Sequence, residues 1–277
     1  MQLETIEPHG FCAGVRGAID KAFSLPAGAY CLHEIVHNEI VTAELKNRGV
    51  KFAECLDEVP DGAVLLFSAH GVSPLVRHEA QKRNMKIVDA TCPFVQKVHA
   101  SAVEFARQGL DVVVIGDEAH VEVAGIMGAV ESAGKSKAVA VKSENEFSKL
   151  GVLSSNEIGV VSQTTMNRDD VSRMVDLLGR RYKISSVAQV CSATNERQSA
   201  VKRFKGDALV VLGSANSSNT ARLCEIFNGK KVYRVATMEE LKRIDFSGVR
   251  FLGLTSGAST PEPFFDEAKD YLKGLDE

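Results

Sequence analysis

The sequence predicts an α/β fold composed of three similar small α/β domains. Strand and helix patterns alternate along the 277 residues, as expected of parallel sheets covered by helices. Three cysteines, Cys12, Cys92 and Cys191, each precede a helical pattern, and polar turns recur at similar distances after each of them. This spacing predicts an internal repeat. We place the domains at 13–92, at 93–189, and at 1–12 together with 190–277.

The individual elements follow from hydrophobic spacing and turn residues. Short apolar runs bounded by turn signals predict strands at 30–36, 63–68, 87–89, 112–116, 138–141, 159–162, 208–213, 232–235 and 251–255. Apolar residues at i, i+3, i+4 and i+7 predict helices at 13–24, 39–48, 74–83, 93–108, 168–182, 195–204, 220–227 and 261–272. No segment is rich enough in proline or glycine to form a flexible linker, so the domains are expected to pack against one another.

The three repeated cysteines are predicted at helix N-termini. Cys92 is followed by Pro93, and proline is favoured at the first helical position, so Cys92 is predicted to be the N-cap. Free N–H groups and the positive end of the helix dipole lower the pKa of a thiol and favour the metal-binding thiolate. If the three thiols converge, they form a three-thiolate site. The other cysteines are expected to be small buried hydrophobes: Cys31, Cys55 and Cys224.

The repeat is measured from the three cysteines. A first polar strand end follows them after 25, 28 and 26 residues, at His37, His120 and Ser217. A second follows after 58, 72 and 68 residues, at His70, Thr164 and Ser259. Open α/β sheets bind ligands at the carboxyl ends of their strands, so each third is expected to contribute two polar turns to a binding site.

Composition and charge exclude several classes of function. The net charge is −3 with no long basic run, which argues against nucleic acid or an anionic membrane as a partner. The first residues lack the features of a signal peptide, and no apolar stretch approaches the ~20 residues of a membrane span. Six cysteines at wide spacings do not resemble a secreted disulfide framework. We therefore expect a cytoplasmic protein.

Seven short motifs together resemble one enzyme family, the 4-hydroxy-3-methylbut-2-enyl diphosphate reductases. These iron–sulfur enzymes end the methylerythritol phosphate route to isoprenoids. The motifs occur in the family's order and are His9-Gly10-Phe11-Cys12-Ala13-Gly14-Val15, Val36-His37-Asn38, Ser68-Ala69-His70-Gly71-Val72, Asp89-Ala90-Thr91-Cys92-Pro93, Ser162-Gln163-Thr164-Thr165, Ser217-Ser218-Asn219 and Gly257-Ala258-Ser259.

The resemblance implies a pseudo-threefold trefoil of the three domains around a central iron–sulfur cluster. Cys12, Cys92 and Cys191 would hold a [4Fe-4S] cluster and leave one iron free to bind the substrate hydroxyl. The implied reaction is two-electron reductive dehydroxylation of 4-hydroxy-3-methylbut-2-enyl diphosphate to isopentenyl diphosphate and dimethylallyl diphosphate. Four-cysteine ligation is usual for such clusters, so three cysteines suit an enzyme that needs an open position.

The polar turns are expected to bind the diphosphate. They offer hydroxyl, amide and imidazole donors, mostly just before helices, where free N–H groups also bind anions. Lysine and arginine are largely missing from these turns, so protonated histidines are candidates for the positive charge. Simple helix capping is the alternative role for such residues, and the two roles are compatible. The predicted substrate-binding residues are His37, His70, His120, Thr164, Ser217, Ser218, Asn219 and Ser259.

Glu122 is the predicted proton donor, because reductive loss of a hydroxyl consumes protons as well as electrons. The alternative is a solvated glutamate on a loop. By resemblance Thr164 helps to relay the proton or to hold the hydroxyl, and His120 completes the predicted catalytic group. The family usually has Gly-His-x-x-His-Pro-Glu-Val here, whereas this chain has Asp117 and Val121 at the second and sixth positions. These two residues put the local conformation and charge in question.

Electrons are expected from a separate ferredoxin- or flavodoxin-like donor, because the chain lacks a G-x-G-x-x-G motif for a bound nicotinamide. Two other classes remain open. A non-catalytic redox or metal sensor would use the three cysteines but leaves the polar turns unexplained. A phosphate-binding α/β enzyme with structural zinc explains the turns, but the chain lacks the paired cysteine knuckles expected for zinc.

Overall fold

The structure is a computed structural model that describes residues 1–151, 153–187, 191–229 and 231–275. The predicted domain boundary between 189 and 190 lies outside the described residues. The strands are β1 (Gln2–Thr5), β2 (Tyr30–Leu32), β3 (Lys51–Ala53), β4 (Val64–Phe67), β5 (Lys86–Asp89), β6 (Asp111–Ile115), β7 (Ala138–Val141), β8 (Glu157–Ser162), β9 (Lys183–Val187), β10 (Ala208–Leu212), β11 (Lys231–Val235) and β12 (Phe251–Ser256).

Most strands are followed by a helix, and two of the connections are short 3₁₀ helices at Leu56–Glu58 and Glu144–Leu150. The α-helices are α1 (Ala13–Phe23), α2 (Glu39–Asn47), α3 (Pro74–Lys82), α4 (Pro93–Arg107), α5 (Val121–Ala133), α6 (Arg168–Gly179), α7 (Ser192–Arg203), α8 (Ser218–Glu225), α9 (Met238–Lys242) and α10 (Glu262–Gly274).

The strands form three four-stranded sheets whose paired strands are all parallel. The first sheet has the order β3-β2-β4-β5, the second β7-β6-β8-β9, and the third β11-β10-β12-β1. If the strands of each sheet are numbered one to four along the chain, their order across the sheet is two, one, three, four. In the third sheet β1 takes the fourth place. The predicted class of three similar small α/β domains is confirmed.

The second sheet shows why these strands run parallel inside layers of helix. All five residues of β6 are buried. Val112 and Val114 pack into a core formed with α4 and α5, whereas Val113 and Ile115 pack into a core formed with α6. A strand that is apolar on both faces needs helices on both sides, which is the usual setting of a parallel sheet.

The chain divides into two compact units. One consists of Met1–Arg16, Val36–Glu44 and Ser192–Glu277, and the other of Gly17–Ile35 and Leu45–Cys191. The third sheet belongs to the former unit, and the first and second sheets belong to the latter. The domain boundaries predicted from the sequence stay a prediction. Every helix in the described part of the chain is too short or too polar to span a lipid bilayer.

Two sequence predictions near the site are wrong. The strand predicted at 30–36 ends at Leu32, because His33 has a φ of 60°, in the left-handed region that interrupts a strand. Val36-His37-Asn38 is therefore the loop that leads into α2 and not a strand end. The predictions also omit α5, which begins directly after His120 and carries Glu122 in its first turn.

Candidate active site

Cys12, Cys92 and Cys191 occupy the same place in the three repeats. Each follows the fourth strand of a sheet and stands one residue before a helix, α1, α4 or α7. Cys92 is the N-cap of α4, as predicted. The Sγ atom of Cys12 accepts a hydrogen bond from the N–H of Val15 at 3.5 Å. The predicted position at helix N-termini is therefore confirmed for all three cysteines.

The remaining cysteines have different surroundings. Cys31 is buried in β2, and burial raises the pKa of its thiol to about 12. Burial likewise raises the pKa of Cys224 to about 11, and this residue packs against a core cluster of the third sheet. Cys55 is exposed, so its predicted burial is wrong. Thiols with raised pKa values are poor metal ligands and behave as small apolar side chains.

The donor set fits an iron–sulfur cluster. None of the six cysteines, all of which lie in the described part of the chain, forms a disulfide, and three of them stand directly before a helix. The backbone of two of them is also fixed, because the N–H of Cys12 donates to the carbonyl of Ala258 at 3.2 Å and the N–H of Cys92 donates to the carbonyl of Ala69 at 3.0 Å. Three cysteines at equivalent helix starts would suit a cluster that keeps one iron without a cysteine ligand.

Glu122 and Thr164 form a buried pair at the carboxyl end of the second sheet. The side chain of Glu122 is only 2% exposed. Its Oε1 accepts a hydrogen bond from the backbone N–H of Thr164 at 2.7 Å, and its Oε2 accepts one from the Thr164 hydroxyl at 2.9 Å. Burial raises the pKa of Glu122 to about 7, against the lowering effect of these two bonds. The carboxyl can therefore hold a proton near neutral pH, as a general acid must.

His120 is the N-cap of α5 and fixes the position of Glu122. Its Nδ1 accepts a hydrogen bond from the N–H of Glu122 at 3.2 Å, so a neutral ring carries its proton on Nε2. The alternative of a solvated glutamate on a loop is excluded, because the side chain is buried and the residue is helical.

Asp117 is held by an ion pair with Lys142. Its carboxylate lies 2.7 Å from the Nζ of Lys142, and this hydrogen bond is the main cause that lowers its pKa. Asp117 also accepts a bond from the N–H of Ala119 at 3.1 Å, which orders the turn before α5. Val121 is the first residue of that helix. The two departures from the family pattern are therefore accommodated by an ordered turn with a compensated charge.

His70 and His120 come together from different sheets. His70 lies just after β4 of the first sheet, and its Nδ1 is 3.3 Å from the hydroxyl of Ser68. The rings of His70 and His120 meet edge to face with centroids 5.5 Å apart. Two predicted donors that are distant in sequence therefore lie within reach of one ligand group.

The third sheet brings together a second set of predicted donors. Ser217 is the N-cap of α8, half-buried Ser218 is its first residue, and Asn219 follows. The Oδ1 of Asn219 accepts a bond from the N–H of Ala258 at 3.1 Å, and its buried Nδ2 has no hydrogen-bond partner among the described residues. The hydroxyl of Ser259 donates to the carbonyl of His37 at 3.3 Å.

Arg197 is a buried residue on α7 next to the loop that contains Cys12, and it is not among the residues predicted from the motifs. Its position on a buried helix face was the one signal in the sequence that could have indicated it. Thr194, Arg197 and Val201 share one buried helix face, and an arginine on such a face needs polar partners.

Parallel α/β domains with a protonatable buried carboxyl and polar turns at strand ends are typical of an α/β enzyme whose site lies at that edge of the sheets. The particular family follows from sequence comparison. The chain belongs to the LytB protein family, whose sequence model matches residues 3–273. The family resemblance predicted from the motifs is confirmed.

Individual relatives match over nearly the whole chain. The 4-hydroxy-3-methylbut-2-enyl diphosphate reductase of Ectopseudomonas mendocina is 41% identical over 277 residues, which cover 95% of this chain and 87% of that protein. The protein of the same name from Azotobacter vinelandii is 40% identical over 286 residues, with 99% and 90% covered.

Two solved structures agree with this. The E-1-hydroxy-2-methyl-but-2-enyl-4-diphosphate reductase from Plasmodium falciparum has a TM-score of 0.89 at 33% identity, covering 98% of this chain and 88% of that one. A structure of (E)-4-hydroxy-3-methyl-but-2-enyl diphosphate reductase, described as the terminal enzyme of the non-mevalonate pathway, has a TM-score of 0.69 at 30% identity, with 99% and 100% covered.

Proposed function

We propose that this chain reduces 4-hydroxy-3-methylbut-2-enyl diphosphate to isopentenyl diphosphate and dimethylallyl diphosphate, the last step of the non-mevalonate route to isoprenoids. The reaction breaks the allylic C–O bond, takes up two electrons and two protons, and releases water. The proposal is supported by relatives that carry this activity in their names and that align with almost the full chain. The observation that carries it is the buried acid Glu122, bonded to Thr164 and with a pKa of about 7.

Cys12, Cys92 and Cys191, one from each of the three repeats, are the proposed ligands of a [4Fe-4S] cluster. When bound, the cluster supplies the electrons and an iron with an open coordination position. The shared place of the three cysteines, after a fourth strand and before a helix, supports this assignment. The electrons come from a separate ferredoxin- or flavodoxin-like protein, since the chain lacks a nicotinamide-binding glycine motif.

The diphosphate binds to the polar turns that precede α2, α3, α5, α6, α8 and α10. The Nδ2 of Asn219 has no hydrogen-bond partner in the described part of the chain, and this supports the role, because a buried donor without a partner is costly unless a ligand accepts its hydrogen bond. Helix N-termini add further N–H groups and a favourable dipole. The proposed binding residues are His37, His70, His120, Thr164, Ser217, Ser218, Asn219 and Ser259.

Glu122 supplies a proton through Thr164. When the carboxyl is protonated on Oε2, it donates to the Thr164 hydroxyl oxygen, which lies 2.9 Å away. The hydroxyl proton of Thr164 is then free to turn toward the departing oxygen of the substrate. His120 keeps Glu122 in place through its bond to the Glu122 N–H.

Anaerobic purification with iron and sulfide assay tests the proposal, together with electron paramagnetic resonance (EPR) spectra recorded with and without the allylic diphosphate. We expect about four irons and four sulfides per chain, a spectrum that the diphosphate changes, and both isoprenoid products when a reductant is supplied. A redox sensor would hold the cluster but form no product. Zinc without sulfide would contradict the proposal outright.

A further inference from the structure

Arg197 is a buried cation that binds the loop before Cys12. It lies on α7 and is only 3% exposed. Its Nη2 donates to the carbonyl oxygen of Gly10 at 2.8 Å and reaches that of His9 at 3.4 Å. Its Nη1 donates to the carbonyl of Ala193 at 3.2 Å, within its own helix.

This arrangement fixes the loop to the helix. Removing a charged guanidinium from water is costly, and the cost is recovered only when its N–H groups find oriented acceptors. A guanidinium presents its donors in a rigid planar fork, so it sets the direction of the carbonyls that it binds. The carbonyls of His9 and Gly10 are therefore held in place three and two residues before Cys12, respectively. The helix that carries Arg197 begins at Ser192, immediately after Cys191.

The opposite side of the loop is held as well. The N–H of Gly10 donates to the Ser256 hydroxyl at 2.8 Å, and the N–H of Cys12 donates to the Ala258 carbonyl at 3.2 Å. Gly10 has a φ of +67°, in the left-handed region that suits glycine. The ring of His9 stacks on Phe265 with centroids 3.6 Å apart. The loop thus lies between α7 and the turn after β12.

We infer that Arg197 is a positioning residue for the cluster ligand Cys12, which it acts on through the carbonyls of His9 and Gly10. The inference rests on the proposed function. Arg197 fixes the loop that carries Cys12 against α7, the helix that follows Cys191. The thiolate of Cys12 therefore stays in the position that a cluster requires. Without Arg197 the loop moves more freely, and Cys12 releases iron more often.

The test compares Arg197→Gln with a matched control, Arg83→Gln. The guanidinium of Arg83 also donates to two backbone carbonyls, those of Leu56 and Val59, but in a loop that carries none of the three ligand cysteines. Both variants are purified anaerobically as holoproteins and challenged with an iron chelator. We expect Arg197→Gln to lose iron about 10- to 100-fold faster than the wild type, the usual effect of removing a group that orients a metal ligand. Arg83→Gln should keep the wild-type rate.

Two further measurements separate positioning from a general loss of stability. The EPR spectrum of the reduced cluster should change in Arg197→Gln and should change less, but still measurably, in Arg197→Lys, because lysine keeps the charge but lacks the planar fork of donors. Iodoacetamide labelling of the metal-free proteins, followed by mass spectrometry, gives the ratio of the Cys12 labelling rate to the Cys92 labelling rate. This ratio should be higher in Arg197→Gln than in the wild type. Melting curves of the metal-free variants report folding separately.

The inference would be overturned if folded Arg197→Gln had the iron-loss rate, EPR spectrum and labelling ratio of the wild type. It would also be overturned if Arg83→Gln changed these three quantities as much as Arg197→Gln does. Should Arg197→Gln fail to fold, Arg197→Lys and Ser256→Ala decide, and wild-type behaviour in both overturns it. A wild-type protein that never holds iron and sulfide contradicts the proposed function instead. In that case the labelling ratio still tests whether Arg197 positions Cys12.

Discussion

Two buried carboxylates, that of Asp111 in β6 and that of Glu122 in α5, differ in pKa because their hydrogen bonds differ. Burial pushes the pKa of Asp111 upward, but bonds from Ser154 and Lys137 outweigh burial and lower it. Glu122 receives its two bonds from Thr164 alone, and burial prevails. Asp111 is therefore a structural anion that ties loops to β6, whereas Glu122 can exchange a proton.

Glu122→Gln should lower turnover by about 10²- to 10⁴-fold, the typical contribution of a positioned acid. Glutamine keeps the size and can still bond to Thr164 but cannot donate a carboxyl proton. Iron content and diphosphate affinity should stay near wild type, whereas Ser217→Ala or His37→Ala should chiefly weaken binding. Asp117→Asn is the control, because Lys142 already holds that carboxylate ionised. Near-normal turnover in the Glu122→Gln, Asp117→Asn double variant would remove Glu122 from the mechanism.

The rate should fall as pH rises through about 7, because only protonated Glu122 is active and burial sets its pKa there. The folded protein binds this proton more tightly than the unfolded chain, whose glutamate pKa is near 4.5. The free energy of unfolding should therefore also decrease between pH 4.5 and about 7, by on the order of 3 kcal/mol from this residue. Steady-state rates and urea titrations of Glu122→Gln should lack both dependences. If the variant keeps them, another group is responsible.

Replacing any one of the three helix-start cysteines should remove most of the iron and nearly all turnover, because the proposed cluster has only three protein ligands. The variants are Cys12→Ser, Cys92→Ser and Cys191→Ser. Cys31→Ser, Cys55→Ser and Cys224→Ser are the controls and should keep the wild-type iron content. Loss of iron in Cys224→Ser with retention in Cys191→Ser would show that the ligands are misassigned.

At the scale of single elements, sequence spacing succeeded where one face of a helix is buried. It predicted α4 and α6 closely and placed Cys92 as an N-cap. It missed α5, because this helix packs against the second sheet, α3 and α4, so apolar residues occur around it and a polar face with regular spacing is lacking. Gly125 and Gly128 further weaken its helical signal, yet an added Cβ there would meet His99 at 3.2 Å and Ser73 at 2.7 Å. Close helix packing explains both glycines, and it cannot be read from local propensity.

The start of α5 gives a prediction that separates capping from chemistry. His120→Ala removes the cap on the Glu122 N–H and should lower the free energy of unfolding by about 1 kcal/mol. His120→Asn replaces it with another good cap and should restore stability. Turnover should remain low in both variants, because asparagine lacks the imidazole proposed to contact the diphosphate. Urea titration and steady-state kinetics check this, and full activity of His120→Asn would leave His120 with capping alone.

For the whole molecule, the cysteine offsets indicated the threefold repeat correctly. They could not indicate that β1 completes the third sheet, because Gln2–Thr5 is short and only partly apolar and pairs with β12 at the far end of the sequence. They also could not reveal the Arg197 contacts, since a bond between residues 187 positions apart leaves no local pattern. The polar turns could be predicted as candidate binding turns because most of them lie beside their own strand and helix; their role in binding stays a prediction.

The repeat predicts that the chain tolerates a circular permutation. In the first sheet α3 ends at Lys82 and β5 begins at Lys86, and in the second α6 ends at Gly179 and β9 begins at Lys183. Three residues make this step in each case, 83–85 and 180–182. In the third sheet the corresponding elements are α10 and β1, which lie at opposite ends of the printed sequence. A short glycine–serine linker from 275 to 2 should therefore replace a connection that the other two sheets already make.

New termini between exposed Gly134 and Lys135 would fall in the turn from α5 to β7, where a break costs little buried structure. We expect the permutant to melt within a few degrees of the wild type and to hold the same amount of iron. The same opening without the linker, as two co-expressed fragments, is the control and should be less stable because the chain ends are not joined. If the permutant were unfolded while the co-expressed fragments folded, a short linker could not connect α10 to β1 as residues 83–85 connect α3 to β5. The third repeat would then differ from the others in geometry as well as in chain order.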